Sequence, residues 1–164
     1  EGTRLNVVNG RAQAEARGIA LAVAPATGQV SAHFVQVAVR SGGDEMVVAG
    51  VAAPNSMPRI TRIGAFSVDV TPRRTMLVLT NDDVPGVIGR VGTLLGDAGV
   101  NIAEYHQSRT SQGGEALAAI TVDGIVDAAL RKRLLEINDI RSVTVVHFSD
   151  PDFVVDDAAQ GDVA

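Results

Sequence analysis

The 164-residue sequence contains no cysteine, which excludes disulfides and thiolate metal sites and leaves no sign of an oxidising compartment. It also contains no tryptophan and one tyrosine, and aromatic residues make up only 3% of the chain. Stacking of nucleic-acid bases on aromatic rings is therefore not expected. The net charge is -5 and the longest basic run is Arg131-Lys132-Arg133. Both observations argue against a nucleic-acid-binding surface.

Long apolar runs are absent as well. No stretch reaches the roughly 18 apolar residues that span a bilayer, and no signal peptide is visible. We therefore predict no membrane contact and a cytoplasmic location. The sequence begins Glu1-Gly2 without Met, which suggests a piece of a longer protein. Its three histidines, His33, His106 and His147, are far apart in sequence, so we predict no metal site.

Hydrophobic residues make up 46% of the chain and the mean hydropathy is +0.18, which indicates a buried core in a globular protein. The patterns before residue 72 predict a short helix over 9–17 that ends at Gly18, then a mostly β unit. The strands are predicted at 19–24, 34–40, 45–53, 59–63 and 66–70, and the second and third form a hairpin around Ser41-Gly42-Gly43-Asp44.

The chain after residue 72 has a different pattern of apolar residues, in which helical and strand spacings alternate. It predicts strand 76–81, helix 85–98, strand 101–109, strand 116–123, helix 126–138 and strand 141–148. The order βαββαβ is the ferredoxin-like arrangement, in which both helices cover one face of a four-stranded antiparallel sheet. We therefore expect an α+β protein with three parts: a small mostly-β domain over 1–72, a βαββαβ domain over 73–149 and a disordered acidic tail over 150–164.

The stretch Asn81-Asp82-Asp83-Val84-Pro85-Gly86-Val87 joins the first of these strands to the first helix. Pro85 suits the first helical position, and Gly86 lets a ligand approach the backbone. Free amides at a helix start attract a carboxylate or phosphate, while Asp83 and Asn81 could hold a cation and a polar group. A small molecule with a carboxylate, an ammonium and a hydroxyl would satisfy all three features. The alternative is that these Asx residues only cap the helix or form the turn and bind nothing.

These motifs resemble two known modules. The turn from Asn81 to Val87, with Gly99-Val100-Asn101-Ile102 opening the next strand, resembles an ACT domain, the amino-acid-sensing module. Together with Val7-Val8-Asn9-Gly10 and Pro58-Arg59-Ile60, it resembles the C-terminal regulatory region of D-3-phosphoglycerate dehydrogenases. That region consists of an intervening, allosteric-substrate-binding domain followed by the ACT domain. The resemblance covers about residues 1–148.

The resemblance implies an L-serine site between two copies of the chain, in a homodimer or homotetramer. The amides of Gly86 and Val87 would face the serine carboxylate, Asp83 its ammonium and Asn81 its hydroxyl. Asn101 of the partner subunit would close the site. Pro85 and Ile102 complete the predicted set of binding residues.

No Gly-x-Gly-x-x-Gly turn and no His/Arg/Glu catalytic set can be found for nicotinamide chemistry. We therefore predict no catalytic residue and no cofactor in this chain, and the resemblance implies that NAD binds a missing domain. Two alternatives stay open: the regulatory half of an iron–sulfur L-serine dehydratase, and a free-standing ACT sensor.

Arginines cluster where the two predicted domains meet. Arg59, Arg73 and Arg74 could bind a phosphate-bearing effector through their guanidinium forks, and the resemblance to an allosteric domain favours this. The alternative is that these arginines are solvated charges, some of them paired with Asp69 or the acidic tail.

Overall fold

The computed structural model describes residues 8–25 and 33–148. The chain divides into two compact units, residues 1–30 and 31–164. In the first unit, helix α1 spans Gly10–Glu15, so the predicted helix is present but shorter than the predicted 9–17. A turn follows it, in which Gly18 adopts a φ of 73° and the amide of Ile19 donates to the carbonyl of Ala14.

The strand predicted over 19–24 is wrong. Residues 19–25 have no regular secondary structure, because no strand in the described part of the chain pairs with them. The start of the chain up to residue 7 and the predicted acidic tail over 150–164 lie outside the described residues. No helix among the described residues is long and apolar enough to span a membrane.

The second unit begins with an antiparallel sheet, the first sheet, whose strands pair in chain order. Its strands are β1 (Phe34–Ser41), β2 (Asp44–Val51), β3 (Arg59–Ile63) and β4 (Phe66–Val70). The predicted hairpin is confirmed. Gly42 and Gly43 form its two-residue turn at φ of 60° and 95°, a conformation that favours glycine.

The second sheet is built by the βαββαβ order. Its elements are β5 (Thr75–Asp82), α2 (Val87–Asp97), β6 (Asn101–Arg109), β7 (Glu115–Asp123), α3 (Ala128–Leu135) and β8 (Ile140–His147). All neighbours are antiparallel in the order β6-β7-β5-β8, which confirms the predicted ferredoxin-like arrangement. Strand β6 therefore lies at one edge of the sheet.

Both helices pack on one face of the second sheet, and their apolar stripes form the larger core. This core joins the helices to the central strands through residues that are almost fully buried, among them Leu77, Leu79, Val91, Leu95, Ile120, Leu130 and Leu134. Helix α3 starts two residues later than predicted. Its start is fixed by Asp127, whose carboxylate accepts the amide of Leu130 at 2.7 Å.

Strand β4 of the first sheet packs on the opposite face of the second sheet. Phe66, Val68 and Val70 contact Met76, Leu117 and Ala119 in a second core. Strands β5 and β7 are thus buried on both faces, which explains why their sequences are apolar almost without alternation. The predicted domain boundary between residues 72 and 73 falls in the connection between the two sheets and stays a prediction.

Candidate functional site

The start of α2 differs from the predicted one in a way that matters for binding. The helix begins at Val87 and not at Pro85, because Gly86 adopts a left-handed φ of 88° and turns the chain just before the helix. The N-cap residue is Gly86 itself, and neither Asn81 nor Asp83 accepts a hydrogen bond from the first turn of the helix. The interpretation of Asn81 and Asp83 as helix caps is therefore wrong. The first intrahelical amide is that of Arg90, which donates to Gly86, and the preceding amides of the first turn have no acceptor within residues 8–25 and 33–148, so they could bind an anion.

Asp83 is held by the turn between β6 and β7. Its Oδ2 accepts the Nη1 of Arg109 at 3.0 Å and the amide of Gly113 at 3.1 Å, and its own amide donates to Gly114 at 2.9 Å. The Gly113 amide, and then Arg109, hold the pKa of this carboxyl below its ordinary value. Its Oδ1 has no partner among residues 8–25 and 33–148. One oxygen of an ionised carboxylate is therefore available for a cation.

Asn81 lies near the end of β5, two residues before Asp83, and is only 3% exposed. Its Nδ2 donates to the carbonyl of Asp82 at 2.7 Å. The amide nitrogen must point at that carbonyl, because two oxygens would repel each other, so the Oδ1 of Asn81 is the atom left to face a ligand. Contact of Asn81 with a serine hydroxyl stays a prediction.

Asn101 and Ile102 lie at the other end of the second sheet. Asn101 and Arg109 are the first and last residues of β6, so about 26 Å separates them at the usual strand rise. Ile102 is half-buried against the larger core. Within one chain the structure brings together five predicted site residues and leaves Asn101 and Ile102 apart. The five are Asn81, Asp83, Pro85, Gly86 and Val87.

Arg59 is already bound on every nitrogen of its guanidinium. Its Nε lies 2.6 Å from Asp69, its Nη1 donates to Thr71 at 2.6 Å, and its Nη2 lies 2.9 Å from Glu104. The hydrogen bond to Asp69, and then the contacts with Glu104, raise the pKa of Arg59 above its ordinary value. An anion at Arg59 would have to displace two carboxylates.

The other two arginines of the predicted anion site differ from each other. Arg74 forms an ion pair with Asp123. Arg73 buries its Nε without a hydrogen-bond partner in the part of the chain that the structure describes. The pairing of Arg59 with Asp69 agrees with the alternative interpretation of this cluster. The phosphate-bearing effector stays a prediction.

Sequence reasoning missed the residues that hold the predicted ligand-binding side chains. Arg109 and Gly113 fix Asp83, and Asp123 fixes Asn101 through a hydrogen bond of 3.1 Å from Nδ2 to Oδ2. The pairing of β6 with β7 sets Asn101 directly across from Asp123. Only that register could have identified these partners, because they are 22 or more residues apart in sequence.

Comparison with known proteins agrees with this geometry. Residues 75–139 match the ACT domain family. The chain is 31% identical over 144 residues to D-3-phosphoglycerate dehydrogenase of Bacillus subtilis, which covers 87% of this chain and 27% of the relative. It is 31% identical over 147 residues to the same enzyme of Archaeoglobus fulgidus, with 87% and 27% covered, and 30% identical over 145 residues to that of Synechocystis, with 87% and 26% covered.

The chain spans only about a quarter of the length of these relatives. Its sheet order and helix positions over 75–139 are those expected for the matched family. Residues 75–139 are therefore an ACT domain, and the chain as a whole is similar in sequence to the C-terminal regulatory region of the D-3-phosphoglycerate dehydrogenases.

Proposed function

We propose that this chain is the amino-acid-sensing and oligomerising part of a D-3-phosphoglycerate dehydrogenase, which catalyses the first step of L-serine biosynthesis, and that it binds L-serine between two ACT domains. The observation that carries the proposal is the pairing of two opposite binding features at one place. The start of α2, whose first amides have no acceptor in the described part of the chain, follows four residues after Asp83, whose Oδ1 is available.

A zwitterionic amino acid matches these two features. Its carboxylate would accept hydrogen bonds from the amides of Gly86 and Val87, where the helix dipole favours a negative charge. Its ammonium would donate to Asp83, and a short side-chain hydroxyl would reach Asn81. The pKa of Asp83 is lowered, so its carboxylate is ionised at neutral pH, and the ammonium would bind the oxygen that Arg109 leaves available.

The site is incomplete within one chain, and a second copy would complete it. Strand β6 lies at the edge of the second sheet, where its outer backbone amides and carbonyls have no neighbouring strand among the described residues. Two β6 strands that pair antiparallel around Tyr105 would set the Asn101 of one copy beside the Arg109 of the other. Because Arg109 binds Asp83, the Asn101 of the second copy would lie next to the site. The same pairing gives a homodimer, or a homotetramer made of two such dimers.

The relatives support the dehydrogenase over the alternative dehydratase, since all three of those described above are named D-3-phosphoglycerate dehydrogenases. NAD would bind the catalytic domain of the parent enzyme, and we place that enzyme in the cytoplasm.

Calorimetry with L-serine tests the proposal. Wild-type protein is expected to bind L-serine, and Asp83→Ala is expected to weaken binding by roughly tenfold or more, because the ammonium loses a charge-assisted partner. Asp97→Ala is the matched control, since it removes an exposed carboxylate at the far end of α2. Equal affinity in the Asp83 and Asp97 variants would contradict the proposed site.

A further inference from the structure

We infer that Arg74 and Asp123 are positioning residues that turn the carbonyl oxygen of Asn101 toward the ligand, and that they thereby make the site select a primary ammonium group. This inference rests on the proposed function, because it takes Asn101 to contact the bound amino acid.

The orientation of the Asn101 carboxamide follows from its neighbour. Asn101 and Asp123 face each other across β6 and β7, and the Asn101 Nδ2 donates to the Asp123 Oδ2 at 3.1 Å. An ionised carboxylate only accepts hydrogen bonds, so Asn101 must turn its NH2 group toward Asp123. The pKa of Asp123 is held below its ordinary value, first by this hydrogen bond and then by Arg74, so it is ionised at neutral pH. The Oδ1 of Asn101 is the atom left for a ligand.

Arg74 holds Asp123 from the other side. Its Nη1 binds Oδ1 of the same carboxylate, so each oxygen of Asp123 has its own partner. Arg74 also adopts a φ of 51°, a left-handed conformation that is costly for a residue with a side chain. Its carbonyl accepts the amide of Phe148 at 2.8 Å, which helps to hold this conformation. Backbone strain of this kind persists only where the surrounding structure holds the conformation in place.

The consequence is a group of acceptors on the side of the site away from the amide donors of α2. Asp83 offers Oδ1, and Asn81 and Asn101 both direct their NH2 groups at other acceptors of the protein, which leaves their carbonyl oxygens without a partner among the described residues. A group that meets several acceptors must itself carry several hydrogens, and a primary ammonium carries three. Glycerate has the serine skeleton with a hydroxyl in place of the ammonium, so it would leave acceptors unpaired.

The test compares affinities for L-serine and glycerate in wild type, Asp123→Asn and Glu45→Gln. Asn at position 123 keeps the shape but can donate as well as accept, so Asn101 becomes free to turn over. We expect Asp123→Asn to weaken L-serine binding by about three- to tenfold and to lower the serine-to-glycerate affinity ratio. Arg74→Gln should change both in the same direction. Glu45→Gln is the control because it removes an equally exposed carboxylate from an Arg pair, that of Arg40 in the first hairpin.

A second readout does not need a ligand. In wild type, the side-chain amide signals of Asn101 should shift with pH as Asp123 titrates below its ordinary pKa, and in Asp123→Asn they should not. Unchanged serine affinity and unchanged ratio in Asp123→Asn, with normal wild-type binding, would overturn the inference alone. If the Asn101 side-chain amide signals of wild type do not shift as Asp123 titrates, the inference is wrong whatever affinities are measured. A wild type that binds no L-serine would overturn the proposed function itself.

Discussion

At the scale of single residues, Glu104 shows how one side chain ties the two sheets together. It lies on β6, forms an ion pair with Arg59 of β3, and accepts the amide of Thr71 at 3.1 Å. Burial would raise the pKa of Glu104, but the Thr71 amide and Arg59 outweigh it and lower that pKa below its ordinary value. The ion pair therefore connects β6, whose last residue Arg109 binds Asp83, with β3 of the first sheet.

Because the pKa of Glu104 is lower in the folded state, its contribution to stability is complete above its unfolded pKa, near 4.3, and is lost as the pH falls through the folded value. We expect the free energy of unfolding of wild type to fall over this acidic range more steeply than that of Glu104→Gln. Denaturant titrations at pH 7 and at steps below about pH 4.5 measure both slopes. If the free energy of unfolding depends on pH equally in the two proteins, folding does not lower the pKa of Glu104 and the prediction is wrong.

Arg59 gives a second prediction at this scale. If its two carboxylates occupy it fully, sulfate and 3-phosphoglycerate should raise the melting temperature of wild type and Arg59→Ala by equal amounts, as a general salt effect. If the anion binds Arg59, the rise should disappear in the variant. Thermal unfolding with and without each anion distinguishes the two outcomes.

At the scale of elements, some glycines leave no room for a side chain and others could be replaced by alanine. A Cβ at Gly50 would lie 2.5 Å from the carbonyl oxygen of Arg59, where β2 and β3 shift register, whereas a Cβ at Gly96 of α2 would meet nothing within 4 Å. We expect Gly50→Ala to destabilise the protein by about 2 kcal/mol or more. Gly96→Ala should stabilise it by roughly 0.5–1 kcal/mol, because alanine is the better helix former. Denaturant unfolding checks both, and two changes of the same sign would contradict the distinction between these glycines.

The elements also show how far the sequence could predict the structure. Period-two and helical patterns located every strand of both sheets, because burial on one or both faces dictates them. The local order also placed Asp83, Gly86 and Val87 together at one turn. The helix starts two residues later than predicted, at Val87, because Gly86 is left-handed. The sequence could not show this, because a single backbone angle leaves no periodic pattern. Arg109 and Asp123 could not be found, because strand register alone brings them to the predicted site residues.

At the scale of the whole molecule, the open edge of β6 predicts self-association. We expect sedimentation at tens of micromolar to give a dimer or a tetramer, since an exposed strand edge is usually covered. A proline at the centre of β6, as in Tyr105→Pro, should reduce the assembly, because proline cannot donate a backbone hydrogen bond to a strand ladder. A wild type that sediments only as a monomer would contradict the proposed site between two copies.

The most direct measurement mixes two defective variants. Asp83→Ala and Asn101→Ala each remove one half of the proposed site, so neither protein alone should bind L-serine at the wild-type affinity. If the halves come from different copies, mixed dimers contain one intact site, and an equal mixture should regain about one site for every four chains at wild-type affinity. Calorimetry after the variants are unfolded and refolded together measures that stoichiometry. A mixture that binds no better than either variant would contradict a serine site shared between two copies.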